Sequence, residues 1–237
     1  MARGGKSVGI VVHVFDAYGT LFDVNAAARA VAARPGRGAF AAVWPEVATH
    51  WRTRQLQYTW LRAIADRHCD FWQVTQDALD WALEAAGQGR DADLRATLLN
   101  LYWTLPAYPE VPGMLRALKG AGAQTAILSN GSPAMLAAAV ERAGIGADLD
   151  AVLSVEAAGV FKPDARVYDM VGARFGCARD EVLFVSSNGW DAAAAAAYGF
   201  DTLWVNRAGE PMDRLPGRPA RVAPDLTGVA RIAGGGR

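Results

Sequence analysis

Five short runs in this chain are rich in β-branched and other apolar residues: 9–15 (GIVVHVF), 124–128 (QTAIL), 150–154 (DAVLS), 182–186 (VLFVS) and 201–205 (DTLWV). Each of the last four follows a stretch of helical character. Residues 113–121 carry Met114, Leu115 and Leu118 at helical spacing. Residues 133–143 open on Ser132-Pro133, a cap residue followed by proline at the first helical position. Residues 164–176 follow Lys162-Pro163-Asp164, and 191–198 are nearly all alanine. Strands separated by helices at this spacing predict an α/β fold, a Rossmann-like parallel sheet core flanked by helices.

The first run is separated from the second by about a hundred residues with no clear strand. Apolar residues there recur at helical spacing, as in Trp51, Leu56, Trp60 and Ile64, then Phe71, Val74, Ala78, Leu79 and Ala82. Six of the eight tryptophans fall in this gap, at 44, 51, 60, 72, 81 and 103. The gap reads as an α-helical cap domain, 24–105, inserted into a discontinuous core domain of 8–23 and 106–237. Residues 33–39 (ARPGRGA) read as a flexible loop. The basic, proline-bearing 207–224 and the terminal GGGR read as surface segments.

Charge excludes some functions. Lys plus Arg equals Asp plus Glu, 24 against 24, so the chain lacks the electrostatic footprint of a nucleic-acid binder. No basic amphipathic stretch points to a membrane surface, and no run approaches the ~18 apolar residues of a membrane helix. Cys69 and Cys177 are far apart without metal-ligand spacing and read as buried free thiols. The N-terminus, whose short apolar run holds His13, reads as a strand rather than a signal peptide. A cytoplasmic, reducing location fits these features.

In open parallel sheets, ligands bind outside the carboxyl ends of the strands. Asp16 follows the first run, and Ser129-Asn130-Gly131-Ser132 follows the second. Phe161-Lys162-Pro163 comes after the third, and Ser186-Ser187-Asn188 ends the fourth, with Asp191 opening the next helix. Taken singly, each has an ordinary explanation. Asp16 and Thr20 are turn and cap residues, Lys162 a solvated loop lysine, Asp191 a first-turn acid. Together they bring two carboxylates, a lysine, hydroxyls and amides to one sheet edge.

The stretches VFDAYGTLFDV, ILSNGSP, FKPDARVY and LFVSSNGWD resemble the four motifs of the haloacid dehalogenase superfamily. With the cap segment WRTRQLQYTWLR, they resemble most closely its (S)-2-haloacid dehalogenases, over about residues 9–207. In the superfamily's phosphatases a second aspartate stands two residues after the nucleophile and protonates the leaving alkoxide; here that residue is Tyr18. A Gly-Asp pair after the fourth strand helps to hold Mg²⁺ there; here the pair is Ser186-Ser187. A halide leaves as a stable anion and needs neither the proton nor the metal. The resemblance therefore implies no metal and no cofactor.

It also implies roles. Asp16 attacks the α-carbon of a small 2-haloacid, expels halide and forms an ester, which water hydrolyses to the inverted hydroxy acid. Lys162 keeps Asp16 ionised. Ser129 and the backbone N–H groups of Ala17 and Tyr18 bind the substrate carboxylate. Arg52 and Asn130, with Trp190 nearby, receive the halide. Thr20, Tyr168, Ser186, Asn188 and Asp191 hold the reacting groups and position water, with Asp191 the candidate general base. Tyr18, Leu56, Phe71 and Trp190 form an apolar wall, and a homodimer is expected. Two rival readings are a Mg²⁺-dependent phosphatase of the same superfamily and a non-catalytic binding protein on this fold. Tyr18 and Ser187 weigh against the first, and the retained Asp16, Ser129, Lys162 and Asp191 against the second.

Overall fold

The computed structural model describes residues 9–234. The N-terminal 1–8, the last three residues of GGGR, and the domain limits at 8 and 237 lie outside the described residues. Six strands form one parallel sheet: β1 (Val12–Phe15), β2 (Gln124–Ser129), β3 (Ala151–Ser154), β4 (Val182–Ser186), β5 (Asp201–Val205) and β6 (Arg221–Ala223), in the order β3-β2-β1-β4-β5-β6. Every residue of β1 and β4 is buried. A central parallel strand is covered on both faces, which is why these runs read as continuously apolar. The strand order changes direction at β1, between β2 and β4, and the crevice at the carboxyl ends opens there.

Between β1 and β2 the chain makes α1 (Ala26–Ala32), α2 (Gly38–Ala41), α3 (Trp44–Ile64), α4 (Phe71–Ala85), α5 (Ala92–Trp103) and α6 (Val111–Gly120). Later helices are α7 (Pro133–Ala143), α8 (Ala165–Phe175), α9 (Gly189–Tyr198) and α10 (Val229–Gly234). Asp70 and Asp91 cap α4 and α5 by accepting from the Gln73 and Leu94 amides, both at 2.8 Å. The buried face of α4 is Phe71, Val74, Thr75, Ala78, Leu79, Ala82 and Leu83, an apolar stripe at helical spacing. The face of α3 is different. Val47, Ala48 and Trp51 are followed by buried Gln55 and Thr59, two polar side chains that need partners.

Several details depart from the sequence reading. Residues 207–224 are not wholly a surface segment, because Arg221–Ala223 pair with Leu203–Val205 as the edge strand β6. Three half-exposed residues beginning with arginine carry no strand pattern. β1 starts at Val12 rather than at residue 9. The 33–39 loop is tethered: Arg37 pairs with Asp91 at 2.7 Å and with Asp93, and Gly38-Ala39 begin α2. The cysteines are free but half-buried rather than buried. Of the six tryptophans at 44–103, Trp51 is the buried one; the others are half-buried.

His13 on β1 is 1% exposed, and among the described residues neither ring nitrogen has a hydrogen-bond partner. Burial lowers its proton affinity below the ordinary value. Below about pH 6.5 the unfolded chain binds a proton that the folded one resists. His13 therefore withdraws stability as pH falls from 7 toward 5. Replacing it by leucine is expected to flatten the fall in melting temperature over that range. A pH profile as steep as the wild type's would refute this.

Candidate active site

Backbone hydrogen bonding continues one residue past β1, where the Asp16 amide donates to the Val185 carbonyl at 2.9 Å. The chain then folds back on itself. The Ala17 carbonyl accepts from the Thr20, Leu21 and Phe22 amides at 3.3, 2.8 and 3.0 Å. Gly19 sits at φ 93°, which side-chain-bearing residues rarely adopt, and a Cβ there would meet Ser187 Oγ at 3.1 Å. This tight turn leaves the Asp16 carboxylate at the crevice.

Three side chains from distant parts of the chain hold that carboxylate. Lys162 Nζ lies 3.2 Å from Oδ1; Thr20 Oγ1 and Asn188 Nδ2 donate to Oδ2 at 3.0 and 2.8 Å. Asp16 is 6% exposed, Lys162 1% and Asp191 0%. Lys162 also donates to Asp191 Oδ2 at 2.9 Å, so the ammonium stands between two buried carboxylates. Burial opposes its charge, but the two carboxylates overcome this and raise its proton affinity. Lys162 is an ammonium at neutral pH.

Asp191 receives Tyr168 Oη on Oδ1 at 2.8 Å and Ser186 Oγ on Oδ2 at 3.1 Å. Its burial raises its pKa despite the Lys162 charge. Burial likewise pushes the Tyr18 and Tyr168 phenols well above their ordinary range, so both stay neutral.

A small cavity of about 10 Å³, room for about one water molecule, lies over Asp16. Its lining includes Asp16, Lys162, Ser129, Asn130, Asn188 and Arg52, with Tyr18, Leu56, Phe71 and Trp190 as the apolar part. Thus ten of the residues singled out from sequence meet around one space. Ala17, Thr20, Tyr168, Ser186 and Asp191 do not line it and stand behind those that do. Asp191 in particular reaches the cavity through Lys162, and through Ser186 and the Asn188 amide. Asn130 Oδ1 accepts the Lys162 amide at 3.0 Å, so its NH₂ end is the donor available to the cavity. Gly131 is packed under the Tyr18 ring; a Cβ there would come within 2.7 Å of Tyr18 Cε2.

Arg52 crosses from α3 to the sheet edge. Its Nη2 donates to the Tyr18 carbonyl at 3.0 Å and to Asn188 Oδ1 at 2.9 Å; its Nη1 donates to Gln55 Oε1 at 2.8 Å. Gln55, 1% exposed, donates in turn to Thr75 Oγ1 at 2.8 Å and to Tyr102 Oη at 3.1 Å. Thr75 Oγ1 donates to the Phe71 carbonyl at 2.7 Å, and the Tyr102 ring stacks on Tyr18 with centroids 5.8 Å apart. This fixes which end of the Gln55 amide faces the guanidinium. Sequence reading missed Gln55, Thr75 and Tyr102. The available signal was a glutamine at i+3 from Arg52, on the helix face that also carries Val47, Ala48 and Trp51.

The family model for haloacid dehalogenase-like hydrolases matches residues 11–199. The chain is 42% identical to an (S)-2-haloacid dehalogenase of Pseudomonas sp. (strain YL), covering 92% of each. It belongs to the (S)-2-haloacid dehalogenase family. It is also 46% identical to (S)-2-haloacid dehalogenase 1 of Pseudomonas sp. (strain CBS-3), over 84% of this chain and 86% of that one. The L-2-haloacid dehalogenase of Xanthobacter autotrophicus, solved with chloropropionic acid covalently bound, superposes with a TM-score of 0.84. The two are 37% identical, over 95% of this chain and 99% of the other. The family's parallel sheet and helical insertion are the fold described above.

Proposed function

We propose that this dehalogenase converts small (S)-2-haloalkanoic acids to (R)-2-hydroxyalkanoic acids through an ester on Asp16. One observation carries the reading: a buried carboxylate, held by an ammonium, a hydroxyl and an amide, faces a cavity where a neutral tyrosine stands two residues on. The covalently bound chloropropionic acid of the Xanthobacter relative supports it.

The site's residues take these roles in the proposal. Ser129 and the Ala17 and Tyr18 amides hold the substrate carboxylate. Asp16 attacks the α-carbon opposite the halogen; the carbon–halogen bond breaks and its electron pair leaves with the halide. Arg52 and the Asn130 NH₂, beside Trp190, receive that anion. A guanidinium is always charged and weakly hydrated, and so pairs readily with a halide. Water then adds to the ester carbonyl and frees the hydroxy acid, leaving the water's oxygen on Asp16. Asp191 is the proton acceptor; the proton passes through Lys162, which gives one proton to Asp191 and takes one from the water. As the bond between the ester carbonyl carbon and the hydroxy acid's oxygen breaks, that proton returns through Lys162 to the departing alkoxide, and the water's second proton is released when Asp16 regains its charge. Thr20, Asn188, Ser186 and Tyr168 keep the carboxylates and the ammonium in register. A cavity of about 10 Å³ is smaller than any haloacid, so the lining must part to admit substrate and close again.

Halide release from (S)- and (R)-2-chloropropionate, measured with EDTA present, tests this. Release from the (S) form alone, giving (R)-lactate, is the expected result. No release, together with Mg²⁺-dependent phosphate release from esters, would refute it.

We draw the unit boundaries at 24–105 for the cap, with 8–23 and 106–237 as the core. The exposed Leu61, 60% accessible on α3, supports a homodimer through the cap; light scattering giving one chain mass at micromolar concentration would refute that. Among the described residues no helix is long and apolar enough to cross a membrane. With two free thiols, a reducing cytoplasm is the proposed location.

A further inference from the structure

The cavity at Asp16 shares one lining residue with a second, much larger space. That residue is Trp190. The second space is a groove of about 750 Å³ between the end of α3 (Trp60, Ala63) and α9 (Ala194, Ala197), closed below by Leu215. Asp164 is the one charged residue along its walls, which are otherwise mainly apolar, unlike those around Asp16.

At Trp190 the two spaces are divided by a pair of indoles. Trp60 meets Trp190 edge to face, with ring centroids 5.3 Å apart and planes at 82°. Neither ring N–H has a hydrogen-bond partner, so packing alone holds the pair. Trp60 follows Leu56 by four residues on α3, one helical turn further along the same face. Leu56 touches the catalytic cavity; Trp60 touches only the groove and supports the wall between them.

We propose that Trp60 is a specificity-determining residue. By bracing Trp190 it seals the catalytic cavity from the groove and limits the α-alkyl group of the substrate to short chains. Without that brace, the groove is the subsite that takes a longer alkyl tail. The inference rests on the dehalogenase reading and adds a substrate limit to it. Of the apolar side chains lining the cavity, Tyr18 and Phe71 are 3% and 1% exposed and are backed by Tyr102 and Phe161. Phe161 also borders the groove, but Phe71 and Phe161 are 1% and 0% exposed and fixed in the core, so a tail directed there meets two packed rings; Trp190 is half-buried, and a tail directed at it meets a single ring with the groove behind it.

The test compares kcat/KM for (S)-2-chloropropionate and (S)-2-chlorohexanoate in the wild type, Trp60→Ala and Trp60→Leu. The leucine variant keeps an apolar contact and serves if the alanine variant does not fold. The readout is the ratio of the longer to the shorter substrate, which a general loss of activity does not move. The ratio is expected to rise about tenfold or more, the scale on which apolar pockets discriminate by methylenes. Adding Ala197→Phe, which fills the groove from an exposed position, should bring it back down. A wild type active on chloropropionate with an unchanged ratio in a folded Trp60 variant overturns the gate and leaves the function standing. A wild type that releases no halide from either substrate overturns both.

Discussion

Asp16→Ala is expected to lower halide release from (S)-2-chloropropionate by about 10⁴-fold or more, the scale seen when a covalent nucleophile is removed. The reason is geometric. Asp16 is the one carboxylate on the cavity wall; Asp191 is fully buried behind Lys162, and its oxygens already accept from Tyr168, Ser186 and Lys162. No second acid can take over the attack, and Tyr18 is held as a neutral phenol. A single turnover of the wild type in ¹⁸O-water gives the positive counterpart. Label should enter the Asp16 carboxylate and be absent from the first equivalent of hydroxy acid. Label in that first product, or halide release within tenfold of wild type in the alanine variant, would exclude the ester.

Lys162→Met is expected to abolish turnover and also to destabilise the protein by about 3–5 kcal/mol, the cost of breaking a buried ion pair from one side. At roughly 2–4 °C per kcal/mol for a chain of this size, the melting temperature falls by about 6–20 °C. The ammonium lies 3.2 Å from Asp16 and 2.9 Å from Asp191, and all three groups are shielded from water. Removing it leaves two carboxylates that water cannot solvate. Adding Asp191→Asn removes one of them and should restore part of the lost stability without restoring activity.

The size of the pH dependence also separates this variant from the wild type. Without Lys162 the folded-state proton affinity of Asp191 rises further, so the folded form binds protons that the unfolded form has released. Stability is then gained as pH falls from 7 toward 5, opposite to the contribution of His13. A variant with a wild-type melting temperature would show that Lys162 does not balance these charges.

The α/β class was legible because parallel strands buried on both faces write themselves as apolar runs, and the helices between them carry their own periodicity. The four strand-end clusters were legible for a related reason: a carboxylate or lysine after such a run has nowhere to go except the carboxyl edge of the sheet. β6 was not legible, because an edge strand of three half-exposed residues is defined by its partner Leu203–Val205 rather than by its own pattern.

Sequence alone thus determined five of the six strands, the helical insertion and the placement of Asp16, Ser129, Lys162 and Asp191 at one sheet edge, because hydrophobic period and strand ends are local properties. Tertiary structure alone decided the order of contact. It set Lys162 between two carboxylates and placed Asp191 behind the cavity rather than on it. It also set Arg52 against the Tyr18 carbonyl and Asn188, and Trp60 against Trp190. These pairings join residues 29 to 146 positions apart in the chain, and those made by α3 depend on where it lies against the sheet edge, which no local pattern encodes.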